Sequence, residues 1–239
     1  MFNFCNQRFS LNLSSYNNSK KNNNTTNNVN VFNPNRTFYI CSYGGSGSTM
    51  LTKYLSNFGN VEHIHDRNPP EKLKYVGSKN TDSPVYKEWF NNVEVPNDEV
   101  RSITVIFIYR DPIDVIYSRF IRGNSEPNTQ HMTNVMCKHT NVRLRQVLHY
   151  KKDLYEIENF FNNWTTRNPN RNYIIYCIKY ETFWNHINQI NHILRIPDIP
   201  KLYPARNETR RNKPHYKALQ QIYKNLIYKI NKANFIELA

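Results

Sequence analysis

Residues 102–109, SITVIFIY, are apolar at almost every position instead of alternating. The run is too short for a core helix and is rich in β-branched and aromatic residues, so it predicts a strand. A strand that is apolar on both faces must be covered on both faces, as a central strand of a parallel sheet is. It runs into Arg110-Asp111-Pro112, and a helix-like stretch follows to Ile121. Asp111 can accept from the free N–H groups of a first helical turn, and Pro112 sits where a helix needs no donor.

The same passage occurs earlier. TFYICSY (Thr37–Tyr43) predicts a strand, Gly44-Gly45-Ser46-Gly47 a loop, and STMLTKYLSNFG a helix. Met50, Leu51, Tyr54, Leu55 and Phe58 fall at helical spacing, with Gly59 as the expected C-cap. VEHIHD (61–66) predicts a short second strand, and two prolines then break regular structure. Residues 84–95 are expected to form a helix and connector, and residues 141–166 a long helical region. YIIYCIKY (Tyr173–Tyr180) predicts another buried strand, followed by a helix over Thr182–Leu194. A basic coil precedes an amphipathic C-terminal helix from about Tyr216. Strands alternating with helices predict an α/β fold in three layers. Its central parallel sheet has about four or five strands, linked by right-handed crossovers and flanked by helices. One such domain is expected over residues 36–239. Residues 1–35 are expected to be a disordered leader, since about half of 17–35 is Asn with no apolar period.

The chain carries a formal charge of +14, which attracts anions: nucleic acid, an anionic nucleotide or an acidic polymer. A solvated basic surface is the plain alternative. Part of the Lys excess follows from a composition that favours residues with A/T-rich codons. Cys5, Cys41, Cys137 and Cys177 form no C-x-x-C pair, so neither a zinc ribbon nor a redox motif is expected. They read as free thiols in a reducing compartment. No stretch approaches roughly 18 apolar residues, so no membrane span is expected. The N-terminus has no basic n-region and no apolar core, so no secretory signal is expected and a soluble, cytoplasmic protein is.

Glycines between a strand and a helix let the backbone approach a bound group. The N–H groups at the helix start then favour phosphate or sulfate, and Ser46, Ser48 and Thr49 add hydroxyl donors. A tight turn of small residues is the alternative, but the buried strand before it and the hydroxyls at the helix start favour anion binding. The G-x-x-x-x-G-K-[ST] pattern is absent, because no Lys stands at the required place.

The stretch Gly44-Gly45-Ser46-Gly47-Ser48-Thr49 resembles the 5′-phosphosulfate loop of the sulfotransferases, enzymes that use 3′-phosphoadenosine-5′-phosphosulfate (PAPS). IFIYRDPIDVIYSRF resembles that family's second signature, with Arg110 and Ser118 eight residues apart. The resemblance implies that Arg110 and Ser118 hold the 3′-phosphate. A strand ending in Tyr180-Glu181 implies that Tyr180 contacts the adenine. A weaker likeness is the basic coil with Arg206, Arg210 and Arg211, which implies further 3′-phosphate contacts. Together these cover residues 37 to about 215. They imply a sulfotransferase that moves a sulfuryl group from PAPS to a hydroxyl or amine acceptor, releases PAP and needs no metal. The implied acceptor is a small molecule or carbohydrate, with a lipid headgroup and a protein Tyr also open.

Two positions depart from the family. Gly45 stands where a Lys or Arg is usual, and Met50 where cytosolic members often have Trp. Lys53, Arg67 and Lys79 are candidate replacement cations, each with ordinary surface charge as the alternative. His65 is the first candidate for the general base, with His63 and Asp66 beside it. Glu62, His63 and His65 lack a further spaced ligand pair, which disfavours a metal site. Three other readings stay open: a nucleotide-binding homologue without transfer activity, a phosphoryl-transfer kinase, and a basic nucleic-acid-binding protein. The last is disfavoured by the absence of any module signature.

Overall fold

A computed structural model describes residues 36–64, 66–78, 87–122, 126–198 and 214–239. The expectation for residues 1–35 falls outside them. At the centre lie five parallel strands in the order β4 (Lys87–Glu94), β2 (Asn60–Ile64), β1 (Thr37–Cys41), β5 (Ile103–Tyr109) and β6 (Ile175–Lys179). Two antiparallel edge strands complete the sheet: β3 (Lys74–Ser78) beside β4, and β7 (Ile236–Leu238) beside β6.

The continuous apolar runs are explained by two cores, one on each face. Phe38, Ile40, Ile106, Ile108 and Ile178 point to one side and pack with Leu51, Tyr54 and Leu55 of α1 (Ser48–Leu55). Ile190 and Leu194 of a helix over Ile187–Leu194 join them. Tyr39, Cys41, Val105, Phe107, Tyr109, Ile175 and Cys177 point to the other side, against Phe160, Phe161 and Trp164 of a helix over Ile157–Thr165 and Leu226 and Ile230 near the C-terminus. The period-2 alternation of side chains thus serves two helical layers, and the fold is α/β with helices on both faces of the sheet. Among the described residues, no helix is long and apolar enough to cross a membrane.

Several elements differ from the sequence expectation. Residues 87–94 form a strand, not a helix, because they pair with both β2 and β3, and ladder pairing overrides local preference at such a position. The long helical region is two helices, Leu144–Tyr150 and Ile157–Thr165. Lys151 and Glu156, at φ 52° and 56°, stop one and start the other. Asp153 sits in the break and accepts from the Glu158 N–H and the Tyr223 hydroxyl. The stretch from Thr182 divides as well, into a 3₁₀ helix over Tyr180–Asn185 and the α-helix over Ile187–Leu194. Gly59 is not the C-cap of α1, which ends at Ser56. A Cβ at Gly59 would lie 2.1 Å from the Arg36 carbonyl oxygen, so close backbone approach explains this glycine.

Candidate functional site

β1 leads through α1 to β2 on one side, whereas β5 lies on its other side. The loops leaving β1 and β5 therefore diverge at their carboxyl ends, which is where open α/β sheets form ligand crevices. A cavity of about 520 Å³ opens there. Gly45, Gly47, Ser48, Thr49, Met50 and Lys53 line it from the first passage. Arg110, Ser118 and Arg119 line it from the second, and Tyr180 and Trp184 from the segment after β6.

The loop after β1 is wound by glycines at φ 100° (Gly44), 69° (Gly45) and 90° (Gly47). The Gly44 N–H donates to the buried Ser42 hydroxyl at 3.2 Å. Gly47 is the N-cap of α1, so no side chain caps the helix start, and its first turn carries no acid. Its positive end and first N–H groups are thus left to whatever fills the cavity. A Cβ at Gly47 would lie 2.3 Å from Cδ2 and Cε2 of Tyr180, because that ring stands directly on the loop. Ser46 and Ser48 are buried and Thr49 is exposed.

Arg110 leaves β5 and is fixed from three sides. Its guanidinium meets the Asp114 carboxylate at 3.2 Å, donates to the Gly45 carbonyl at 3.4 Å and lies over the Tyr180 ring at 4.8 Å from the centroid. The pair is largely buried, at 12% and 1% side-chain exposure, so the fork is held in place before any ligand arrives. Asp111 caps the following helix, α2 (Pro112–Ile116), by accepting from the Ile113 N–H at 2.9 Å. Glu181 accepts from the Asp111 N–H at 2.8 Å, which ties the end of β6 to this turn. Beyond α2 the chain forms a π turn over Tyr117–Ile121, closed by the Arg122 N–H on the Tyr117 carbonyl at 2.9 Å. Such turns are rare and often occur at functional sites. Ser118 and its neighbour Arg119 both reach the cavity from it.

Of the residues expected from sequence, Gly45, Gly47, Ser48, Thr49, Met50, Lys53, Arg110, Ser118 and Tyr180 come together at this crevice, whereas Gly44 and Ser46 belong to the same loop but not to the cavity wall. Arg67 does not. It is buried, bonds the Val135 and Met136 carbonyls and Asn159, and pairs with Glu156 at 2.9 Å, so its charge is spent in the core. Asp66 serves a turn: its carboxylate accepts from the Asn68 N–H, and its carbonyl from the Trp164 indole. His63 lies on β2 opposite Ile40, not on the cavity wall. Burial, aided by Arg119, pushes its imidazole down to about 4, which makes it a weak base. His65, Lys79, Arg206, Arg210 and Arg211 lie outside the described residues.

Sequence reasoning missed Arg119, Trp184, Asp114 and His131. Asp114 had a signal, since it stands at i+4 from Arg110 on a helix. His131 had none: it comes from a separate helix over Thr129–Asn134 and packs edge-on to Tyr43 at 5.2 Å between centroids. Burial, aided by Arg119, lowers its imidazole to about 3.

Both histidines bind protons less readily in the fold than at the ordinary value of 6.5. Below that value the unfolded chain takes up protons that the folded chain refuses, so their stability contribution is full above about pH 6.5 and declines as pH falls towards about 4 and 3. His131→Gln is expected to flatten the fall of the thermal midpoint across this window. A variant with the wild-type slope would show that His131 carries no such linkage.

No family model, curated protein or solved structure matches this chain.

Proposed function

We propose that this chain is a sulfotransferase that binds PAPS in the switch-point cavity and passes its sulfuryl group to a hydroxyl or amine acceptor, releasing PAP. The observation that carries the reading is the lining of that cavity. Among the described residues it holds Lys53, Arg110 and Arg119, an uncapped helix start and the hydroxyls of Ser48, Thr49 and Ser118, and no carboxylate. This is a site for a ligand with several negative charges and little affinity for a metal.

In this reading Arg110 and Ser118 take the 3′-phosphate. The N–H groups at the start of α1, with Ser48 and Thr49, take the 5′-phosphosulfate. Tyr180 and Trp184 offer aromatic faces to the adenine. The acceptor oxygen or nitrogen attacks sulfur in line. The sulfur–oxygen bond to the 5′-phosphate breaks, its electron pair stays on PAP, and the acceptor proton passes to a base or to water. The acceptor class stays a small molecule or a carbohydrate.

Gly45 favours a second reading, a homologue that binds the nucleotide without transferring sulfate. A kinase would need a loop Lys and a metal-binding Asp, and the described residues of the lining contain neither. Thermal unfolding with PAP, PAPS, Mg-ATP and a random oligonucleotide separates the classes. A ligand at about a thousandfold above its dissociation constant adds about 4 kcal/mol. PAP and PAPS are expected to raise the midpoint most. A larger shift with Mg-ATP or the oligonucleotide would overturn the proposal.

A further inference from the structure

We propose that Arg119 is the cation that grips the 5′-phosphosulfate end of the ligand, the role for which Gly45 leaves the loop without a side chain. This rests on the PAPS reading above and assigns a residue that neither the glycine loop nor the Arg110–Ser118 signature contains.

The geometry is specific. Arg119 lines the cavity, and its side chain runs along the glycine loop. A Cβ at Gly45 would lie 3.3 Å from Arg119 Cγ, and a Cβ at Gly44 would lie 2.7 Å from its Nε and 3.0 Å from Nη2. The aliphatic stem therefore passes Gly45 and the guanidinium reaches Gly44, in the loop that feeds the uncapped start of α1. A side chain at position 44 would collide with the Arg119 guanidinium and with the His131 ring. A lysine at position 45 would collide with Ser118, whose Cβ and Oγ lie 3.0 Å and 3.1 Å from the same point.

Two features hold Arg119 there. The π turn widens the helix at Tyr117–Ile121, so neighbouring residues diverge less than the 100° of an ordinary turn, and Ser118 and Arg119 both reach one cavity. The Asn128 side chain donates to the Arg119 carbonyl at 3.0 Å. His131 Cε1 lies 2.7 Å from the same Gly44 point, so the imidazole and the guanidinium flank one spot beside the loop. Burial keeps that imidazole neutral, so it adds no opposing cation.

The chemistry fits the position. As the sulfur–oxygen bond breaks, its electron pair passes to the 5′-phosphate oxygen of PAP, and negative charge grows on that oxygen. A guanidinium beside the glycine loop meets that charge with planar, always-protonated donors. The cation has moved from the loop to the helix that follows the 3′-phosphate arginine.

Calorimetric binding of two nucleotides tests this without relying on turnover. PAP carries the 5′-phosphate, and adenosine 3′-monophosphate lacks it. Arg119→Ala is expected to weaken PAP by about 10- to 100-fold, the cost of one charge-assisted contact, and to leave adenosine 3′-monophosphate within about twofold. Arg119→Lys should recover part of the PAP affinity. Gly45→Lys should bind PAP less tightly than wild type, because its side chain collides with Ser118 and crowds the Arg119 stem. Wild-type PAP affinity in Arg119→Ala overturns the assignment, and equal weakening of both nucleotides overturns it in favour of a structural role. If the wild type binds neither nucleotide, the PAPS reading itself fails, and the role of Arg119 with it.

Discussion

Arg110→Ala is expected to lose most of the affinity for PAP. One charge-assisted contact to a phosphate is worth about 1.5–3 kcal/mol, or roughly 10- to 150-fold in binding. The same change strands Asp114, whose side chain is 1% exposed and meets Arg110 at 3.2 Å. Removing one partner of a buried pair commonly costs about 3–5 kcal/mol of stability, so the thermal midpoint should fall as well. The two effects separate in a double variant. Arg110→Ala with Asp114→Asn removes the stranded charge and should regain stability without regaining PAP affinity. Ser118→Ala, which deletes a neutral donor, should cost nearer 1 kcal/mol of binding. Unchanged PAP affinity in Arg110→Ala would remove the 3′-phosphate assignment, whatever happens to the midpoint.

Gly47→Val should abolish nucleotide binding. A side chain at this position would intrude on a group held by the loop. The nearer obstacle is the Tyr180 ring, 2.3 Å from where the Cβ would stand. Gly47 also sits at φ 90°, a conformation that a β-branched residue adopts only under strain. The ring must swing away, which pulls it from under the Arg110 guanidinium and opens that side of the cavity. Tyr180→Ala in the Gly47→Val background should restore part of the stability, since it removes the collision, but not the binding. PAP affinity within about threefold of wild type in Gly47→Val would contradict the placement of the phosphosulfate on this loop.

Most of the central sheet could be read in the sequence, and so could the two turns that make the crevice. The runs around Phe38–Cys41, Thr104–Tyr109 and Ile175–Ile178 are apolar on both faces because each face meets its own helical layer, so burial itself wrote the pattern. Asp111-Pro112 and the glycine loop are backbone requirements, and such requirements show as residue types. What escaped were features set by distant partners. Residues 87–94 become a strand only through β2 and β3, and Ile236–Leu238 only through β6. Arg67 looked like a free cation beside the site, but Glu156 and the Val135 and Met136 carbonyls claim it from far along the chain. Arg119 was hidden by local geometry. It stands outside both motifs, and nothing in YSRFI announces the π turn from which it and Ser118 reach one cavity.

The most direct measurement is transfer of labelled sulfate from PAPS by the wild-type protein, across a panel of small alcohols, carbohydrates, amines, lipid headgroups and tyrosine peptides. Label should appear on one acceptor class, with one PAP released per sulfate transferred, and both signals should fall together in Arg110→Ala. PAPS that binds in the cavity yet yields neither labelled acceptor nor PAP in any arm would contradict the enzyme and leave a protein that only holds the nucleotide.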